Sequence, residues 1–329
     1  MLVQNTVNFF ANGYAVNEGA SCLDLPIAIA VGSVCEESYN QYLFTLSYLE
    51  NWESHRSSWY EERKQILADM NYLFCEYRSN SWKGMLKYIY QVIDEGGYVL
   101  MPVSYNALYY YQNHKTPLEH MIMISGYNLE DDILLVNDCN FVRHGLELVE
   151  KEYTVYQVAL ETRGVERIWK NSMVALRKTP GNYCFYGLRQ SGKVHPSALG
   201  YIEKFLSFRL TTDDIMRGNS RYRENALRAV TIQKNDARGY ISYIRRNYLG
   251  WLHPFFDYFK FQERQDITGK MEELAERLYK VRDLQLYKIH IRIMRGYGLT
   301  ENYISGLLEE SEAIEDQMAC FLRKEYHLM

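Results

Sequence analysis

The sequence predicts an α+β protein in two parts, a mixed helix-and-strand segment followed by a helical bundle. Three observations carry this. Apolar residues recur at helical spacing over Trp82–Asp94 and stop at Gly96-Gly97, a pair suited to a helix C-cap. The period then shortens to strand-like runs at Tyr98–Val103, Leu118–Tyr127 and Ile133–Asn137. Beyond residue 195 nearly every apolar stripe is helical again. The expected organisation is therefore residues 1–195 as one domain and 196–329 as a helical domain packed on it.

Taken in order, Ser21-x-x-Asp24 resembles a capping box with Asp in place of Glu, ahead of Leu25-Pro-Ile-Ala-Ile-Ala-Val. Pro26 tolerates only the first turn, so the helix is irregular there or begins nearer Asp24. Residues 36–50 read as a helix or loop-helix. Trp59–Tyr77 reads as a helix through Ile66, Met70, Leu73 and Phe74, and Trp82–Asp94 as another. Asn128–Asp132 is turn chemistry between two strands. Val155–Thr162 is ambiguous between helix and strand, and Ser172–Lys178 reads as a strand. The strands together predict a small, mainly antiparallel sheet with helices on it. In the second part helices are expected at Tyr201–Phe208, within Asn225–Tyr248, over Ile267–Met294 (Met271, Leu274, Leu278, Val281, Leu284) and from Thr300-x-x-Tyr303 toward Leu322.

Composition narrows the class. The 329 residues are 47% hydrophobic and 24% charged, as in a soluble globular protein with a sizeable core. A net charge of −4 gives no electrostatic pull toward nucleic acid or an anionic membrane. The longest apolar stretch, Leu25–Val34, falls far short of the ~20 residues of a membrane span, and Met1–Asn5, without a basic segment or a long apolar run, predicts no secretion signal. Six dispersed cysteines without a C-x-x-C pair then predict reduced thiols in the cytoplasm. Eight scattered histidines offer no metal-ligand spacing, so no metal and no bound cofactor are expected. Thirty tyrosines fit amphipathic surfaces around grooves or helix contacts, or simply core edges.

The chemistry-bearing pattern is a cysteine, a histidine and an acid in that order. Cys22 opens an apolar helical run, where a helix N-terminus and a neighbouring imidazolium would favour the thiolate. His120 stands near the start of one strand and Asp138 near the end of the next. In an antiparallel hairpin those two ends are neighbours, so an acid can hold the imidazole in the tautomer a base needs. Singly, each residue is more commonly structural; their order and contexts make the case. Cys35 and Cys139 are the decoys, the latter expected behind the sheet. Gly187–Lys193 has a faint phosphate-loop look without the required spacing and reads as a loop. Arg221-Tyr-Arg223 and Arg245-Arg246 read as solvated helix faces that could also receive an acidic partner. The aromatic run Trp251–Phe259 reads as core, with a tunnel lining as the alternative.

Cys22-Leu-Asp-Leu-Pro-Ile-Ala-Ile-Ala, the Tyr39 region, His120-Met-Ile-Met-Ile-Ser-Gly-Tyr127 and Val136-Asn-Asp138 together resemble the butirosin-biosynthesis-protein-H-like group. These are relatives of the C39 (papain-like) cysteine peptidases found with natural-product assembly lines. The resemblance spans residues 1 to about 180. It implies a papain-like fold and a cysteine acyltransferase that moves an acyl chain from a carrier-protein phosphopantetheine thioester to a small-molecule amine. Carried over by residue, Cys22 is the nucleophile, His120 the base and Asp138 its orienter. C39-type peptidases place a glutamine shortly before the cysteine as oxyanion donor. Here no glutamine lies between Gln4 and Cys22; Asn17 is the candidate, with Asn12 and the Cys22 N–H competing. A cysteine hydrolase (peptidase or thioesterase) uses the same residues with water as acceptor. A non-catalytic ligand-binding relative would keep the frame alone, and homo-oligomerisation is left open.

Overall fold

The computed structural model describes residues 1–8, 22–52, 58–108, 117–141, 153–178, 182–192, 227 and 265–325. The chain divides into two compact units. The first comprises Met1–Asn12, Ala20–Tyr42 and Trp59–His195; the second comprises Gly13–Gly19, Leu43–Ser58 and Pro196–Met329. The expected helices at Tyr201–Phe208 and Asn225–Tyr248, the Trp251–Phe261 aromatics and both basic clusters lie outside the described residues, except that Leu227 is helical.

In chain order the described elements are β1 (Leu2–Gln4), α1 (Leu25–Val34), α2 (Glu36–Trp52), α3 (Trp59–Asp69), β2 (Tyr72–Ser79), α4 (Trp82–Asp94), β3 (Tyr98–Ser104), β4 (Glu119–Asn128), β5 (Ile133–Phe141), β6 (Tyr153–Glu161), α5 (Thr162–Ala175), β7 (Tyr183–Gln190), α6 (Gln265–Met294) and α7 (Glu301–Glu325). Among the described residues the strands form one seven-stranded sheet in the order β2-β7-β3-β4-β5-β6. β1 pairs with the far end of β4, beyond the stretch that pairs with β3. Every pairing is antiparallel. The first unit is thus α+β.

One face of the sheet builds the core. Val99, Met101 and Val103 of β3, with Ile122 and Ile124 of β4 and Val136 of β5, alternate along their strands and so point the same way. Met85, Ile89, Val92 and Ile93 of α4 and Val165, Ile168, Trp169 and Met173 of α5 cover them. Burying such side chains is worth ~1.5–3 kcal/mol each, well above what helix propensity supplies.

Helix ends follow local chemistry. Ser81 caps α4, its hydroxyl accepting from Gly84 N–H at 3.1 Å. At the other end Gly96 takes φ +76°, with Gly97 N–H on Val92 O and Gly96 N–H on Ile93 O. That is a Schellman closure, and its left-handed residue is most easily a glycine. Ser81→Ala is expected to lower stability by about 1 kcal/mol in a denaturant titration, since it removes a capping acceptor.

Four sequence expectations are corrected. Trp59–Tyr77 is not one helix: Asn71 turns left-handed (φ +64°), and Leu73 and Phe74 belong to β2, where pairing with β7 outweighs the helical spacing. Ser172–Lys178 is the end of α5 rather than a strand. Arg177 takes φ +53° and closes the helix with Lys178 N–H on Met173 O. Gly187–Gln190 of the expected loop lies in β7, where Gly187 leaves room for the Tyr88 ring; a Cβ there would meet its hydroxyl. Finally, Leu284 is exposed, and Arg282 and Gln285 hold the buried positions of that turn of α6. The ambiguous Val155–Thr162 segment is strand up to Glu161.

In the second unit, α6 and α7 pack together through Met271, Leu274, Leu278, Leu286, Ile289 and Ile293 on one side and Ile304, Leu308, Ile314 and Met318 on the other. Thr300 caps α7, accepting from Tyr303 N–H at 3.3 Å.

Candidate active site

His120 and Asp138 meet at 2.6 Å, His120 Nε2 to Asp138 Oδ1, with both side chains fully buried. Their meeting depends on an irregularity. Counting from the Asn128/Ile133 pair by the turn, an unbroken β4–β5 ladder sets Asp138 opposite Met123, on the face away from His120. The register instead shifts between Ile124 and Gly126, leaving Ser125 as an extra residue on β4. After the shift Met123 faces Asn137, so Asp138 comes level with Ile122 and shares a face with His120. The pair is then a diagonal cross-strand contact. The bulge is itself bonded: Asn137 Nδ2 donates to Ser125 Oγ at 2.6 Å, and Asn5 N–H donates to Ser125 O at 2.9 Å.

The imidazole is held on a second side by Tyr105, whose ring stacks on it with centroids 4.0 Å apart and planes 19° apart. Tyr105 sits in the short 3-10 turn that follows β3. His120 Nδ1 is buried and has no hydrogen-bond partner among the described residues. If Asp138 accepts from Nε2–H, the lone pair is on Nδ1, and that nitrogen is available as a base.

Cys22 arrives from the turn before α1. Its thiol donates to the carbonyl of Glu119, the residue before His120, at 3.3 Å. Covalent geometry then keeps the sulfur within about 6 Å of the His120 Cα. The structure therefore gathers Cys22, His120 and Asp138 at the start of β4, while the thiol proton rests on Glu119 O rather than on Nδ1. Asn17 lies outside the described residues, as does the side chain of Cys139.

The expectation that a helix N-terminus lowers the thiol pKa is corrected. α1 begins at Leu25, with Pro26 in its first turn and Asp24 as N-cap, so Cys22 precedes the helix; Ser21 lies outside the described residues. Burial pushes the Cys22 thiol up to about 11, and the Asp24 carboxylate adds to this, with smaller contributions from Asp138 and Glu119. The resting thiol is neutral at physiological pH.

Asp24, expected in a capping box with Ser21, stands at the N-cap of α1. Its side chain makes no cap hydrogen bond. Instead its two oxygens receive Arg63 Nε at 2.8 Å and Nη2 at 3.0 Å, and Tyr42 Oη donates at 3.1 Å. Sequence reasoning missed Arg63, Tyr42 and Tyr105. No periodic signal marks them, though an arginine at a core position of the amphipathic α3 stripe was a usable hint. Among the described residues no cluster of His, Cys, Asp and Glu could hold a metal ion.

Compared with known proteins, the chain matches no family model and no curated sequence.

Proposed function

We propose that the first unit is a papain-like cysteine acyltransferase that takes an acyl group from a carrier-protein phosphopantetheine thioester and passes it to a small-molecule amine. The observation that carries the reading is the buried His120–Asp138 pair, which leaves Nδ1 unbonded, while the Cys22 thiol lies on the carbonyl of the residue just before His120. Because the resting thiol is neutral, attack proceeds by general-base catalysis rather than from a standing ion pair. The thiol leaves the Glu119 carbonyl, gives its proton to Nδ1 and attacks the thioester carbonyl carbon. The tetrahedral intermediate collapses as the C–S bond to pantetheine breaks, and the imidazolium returns the proton to the departing thiolate. An amine then attacks the Cys22 thioester, His120 removes its proton, and that proton goes back to the Cys22 sulfur as the amide is released. Asp138 keeps the ring in the required tautomer and stabilises the imidazolium.

The test is intact-mass trapping with an acyl-pantetheine. Wild type is expected to gain one acyl mass that is absent in Cys22→Ala and is discharged as amide when an amine is added. Discharge to free acid at the same rate with or without amine would make the enzyme a thioesterase. No adduct in wild type, or an adduct retained in Cys22→Ala, overturns the reading.

A further inference from the structure

A buried carboxylate two residues from the thiol is a puzzle if the thiol must be activated. Asp24 is 1% exposed, Arg63 is 4% exposed, and neither would be left so deep without the other. Their contact is bidentate, both carboxylate oxygens against Nε and Nη2, the geometry that fixes orientation as well as distance. Arg63 is itself held: Nη1 donates to Glu62 at 2.8 Å, and the guanidinium lies over the Trp59 ring at 5.6 Å. Tyr42 of α2 closes the other side of the carboxylate. The turn carrying Cys22 is thus fastened to α2 and α3 through one side chain.

We propose that Asp24 and Arg63 are a positioning pair for Cys22: the ion pair anchors the turn that presents the thiol to β4, and Arg63 offsets the negative charge that Asp24 brings to it. Among the described residues, the charged groups that act on the thiol are Asp24 from its own turn, Asp138 from β5 and Glu119 from β4, with His120 next along β4. Glu119 is itself paired with Lys178 at the end of α5. Burial raises the thiol most and Asp24 next, ahead of the other two carboxylates, so the Asp24 charge and the guanidinium bonded to it bear on its acidity. Taking the charge from one partner or the other should move the thiol in opposite directions, which a packing defect does not do.

The inference rests on the reading of Cys22 as nucleophile, and its test needs no turnover. The pH dependence of iodoacetamide labelling at Cys22 is followed by peptide mass in the full chain. Asp24→Asn is expected to lower the midpoint and speed labelling at pH 8 by about tenfold; Arg63→Met is expected to raise it and slow labelling about as much. Arg63→Lys keeps the charge and is expected to leave the midpoint near that of wild type. Asn is isosteric with Asp, so Asp24→Asn decides alone if Arg63→Met does not fold. A folded Asp24→Asn with an unchanged midpoint, or two single variants that move the same way, overturns the proposal. Acyl trapping fails or succeeds independently, so loss of the nucleophile assignment and loss of the pair's role are told apart.

Discussion

Replacing His120 with alanine is expected to slow Cys22 acylation by ~10²–10⁴-fold, the range that a positioned general base contributes. The argument is sharper here than for an enzyme with a low-pKa thiol. With the thiol raised to about 11, little thiolate exists at neutral pH, so without a base almost all attack must wait for spontaneous ionisation. Single-turnover acylation by acyl-pantetheine is the measurement, and raising the pH should recover His120→Ala more than wild type. Asp138→Asn keeps an oxygen acceptor for Nε2–H and should lose less than Asp138→Leu, which leaves the tautomer unset. His120→Ala also strips the imidazole from a buried carboxylate and a stacked tyrosine, so thermal melting must accompany the kinetics. A folded His120→Ala acylated within threefold of wild type would remove His120 from the mechanism.

Much of this arrangement was legible because it depends on strand order. His120 and Asp138 sit at matching ends of two strands joined by Asn128–Asp132, and a hairpin brings such ends together whatever the rest of the chain does. What the sequence could not show is facing. The side-chain period of a strand is two, and the extra residue at Ser125 decides whether histidine and aspartate share a side; nothing about a serine amid apolar neighbours announces a bulge. The α4 helix was readable from its stripe and its Gly96-Gly97 end, since both are local devices. β2 and the end of α5 were not. Leu73 and Phe74 continue the spacing of α3, and only the ladder to β7 tells them apart from helix. Arg177 in the left-handed region ends α5 where a glycine would have been the usual sign. The Asp24–Arg63 pair was hidden for a related reason. Capping chemistry explained Asp24 from its neighbours, and the partner that claims it lies far along the chain.

The helical unit carries the second large effect. Arg282 is fully buried in α6, its guanidinium against Glu315 of α7, itself 6% exposed. One turn further along α6, Gln285 donates to Leu307 O at 2.6 Å and to Ser311 Oγ at 3.2 Å. These contacts make a polar layer among buried leucine, isoleucine, methionine and alanine side chains. Arg282→Ala is expected to lower the stability of this helix pair by ~3–5 kcal/mol, because it removes the guanidinium from a buried carboxylate and leaves a cavity. The double variant Arg282→Met, Glu315→Leu is expected to regain most of that loss, since the attraction between the charges roughly offsets what their desolvation costs. Denaturant unfolding of the full chain, followed by helical circular dichroism, measures both. If Arg282→Ala falls within 1 kcal/mol of wild type, the pair is not a buried charge in solution. Should the double variant instead recover stability but acquire a broad transition, the polar layer specifies the pairing register of α6 and α7, as polar residues do in other helical seams.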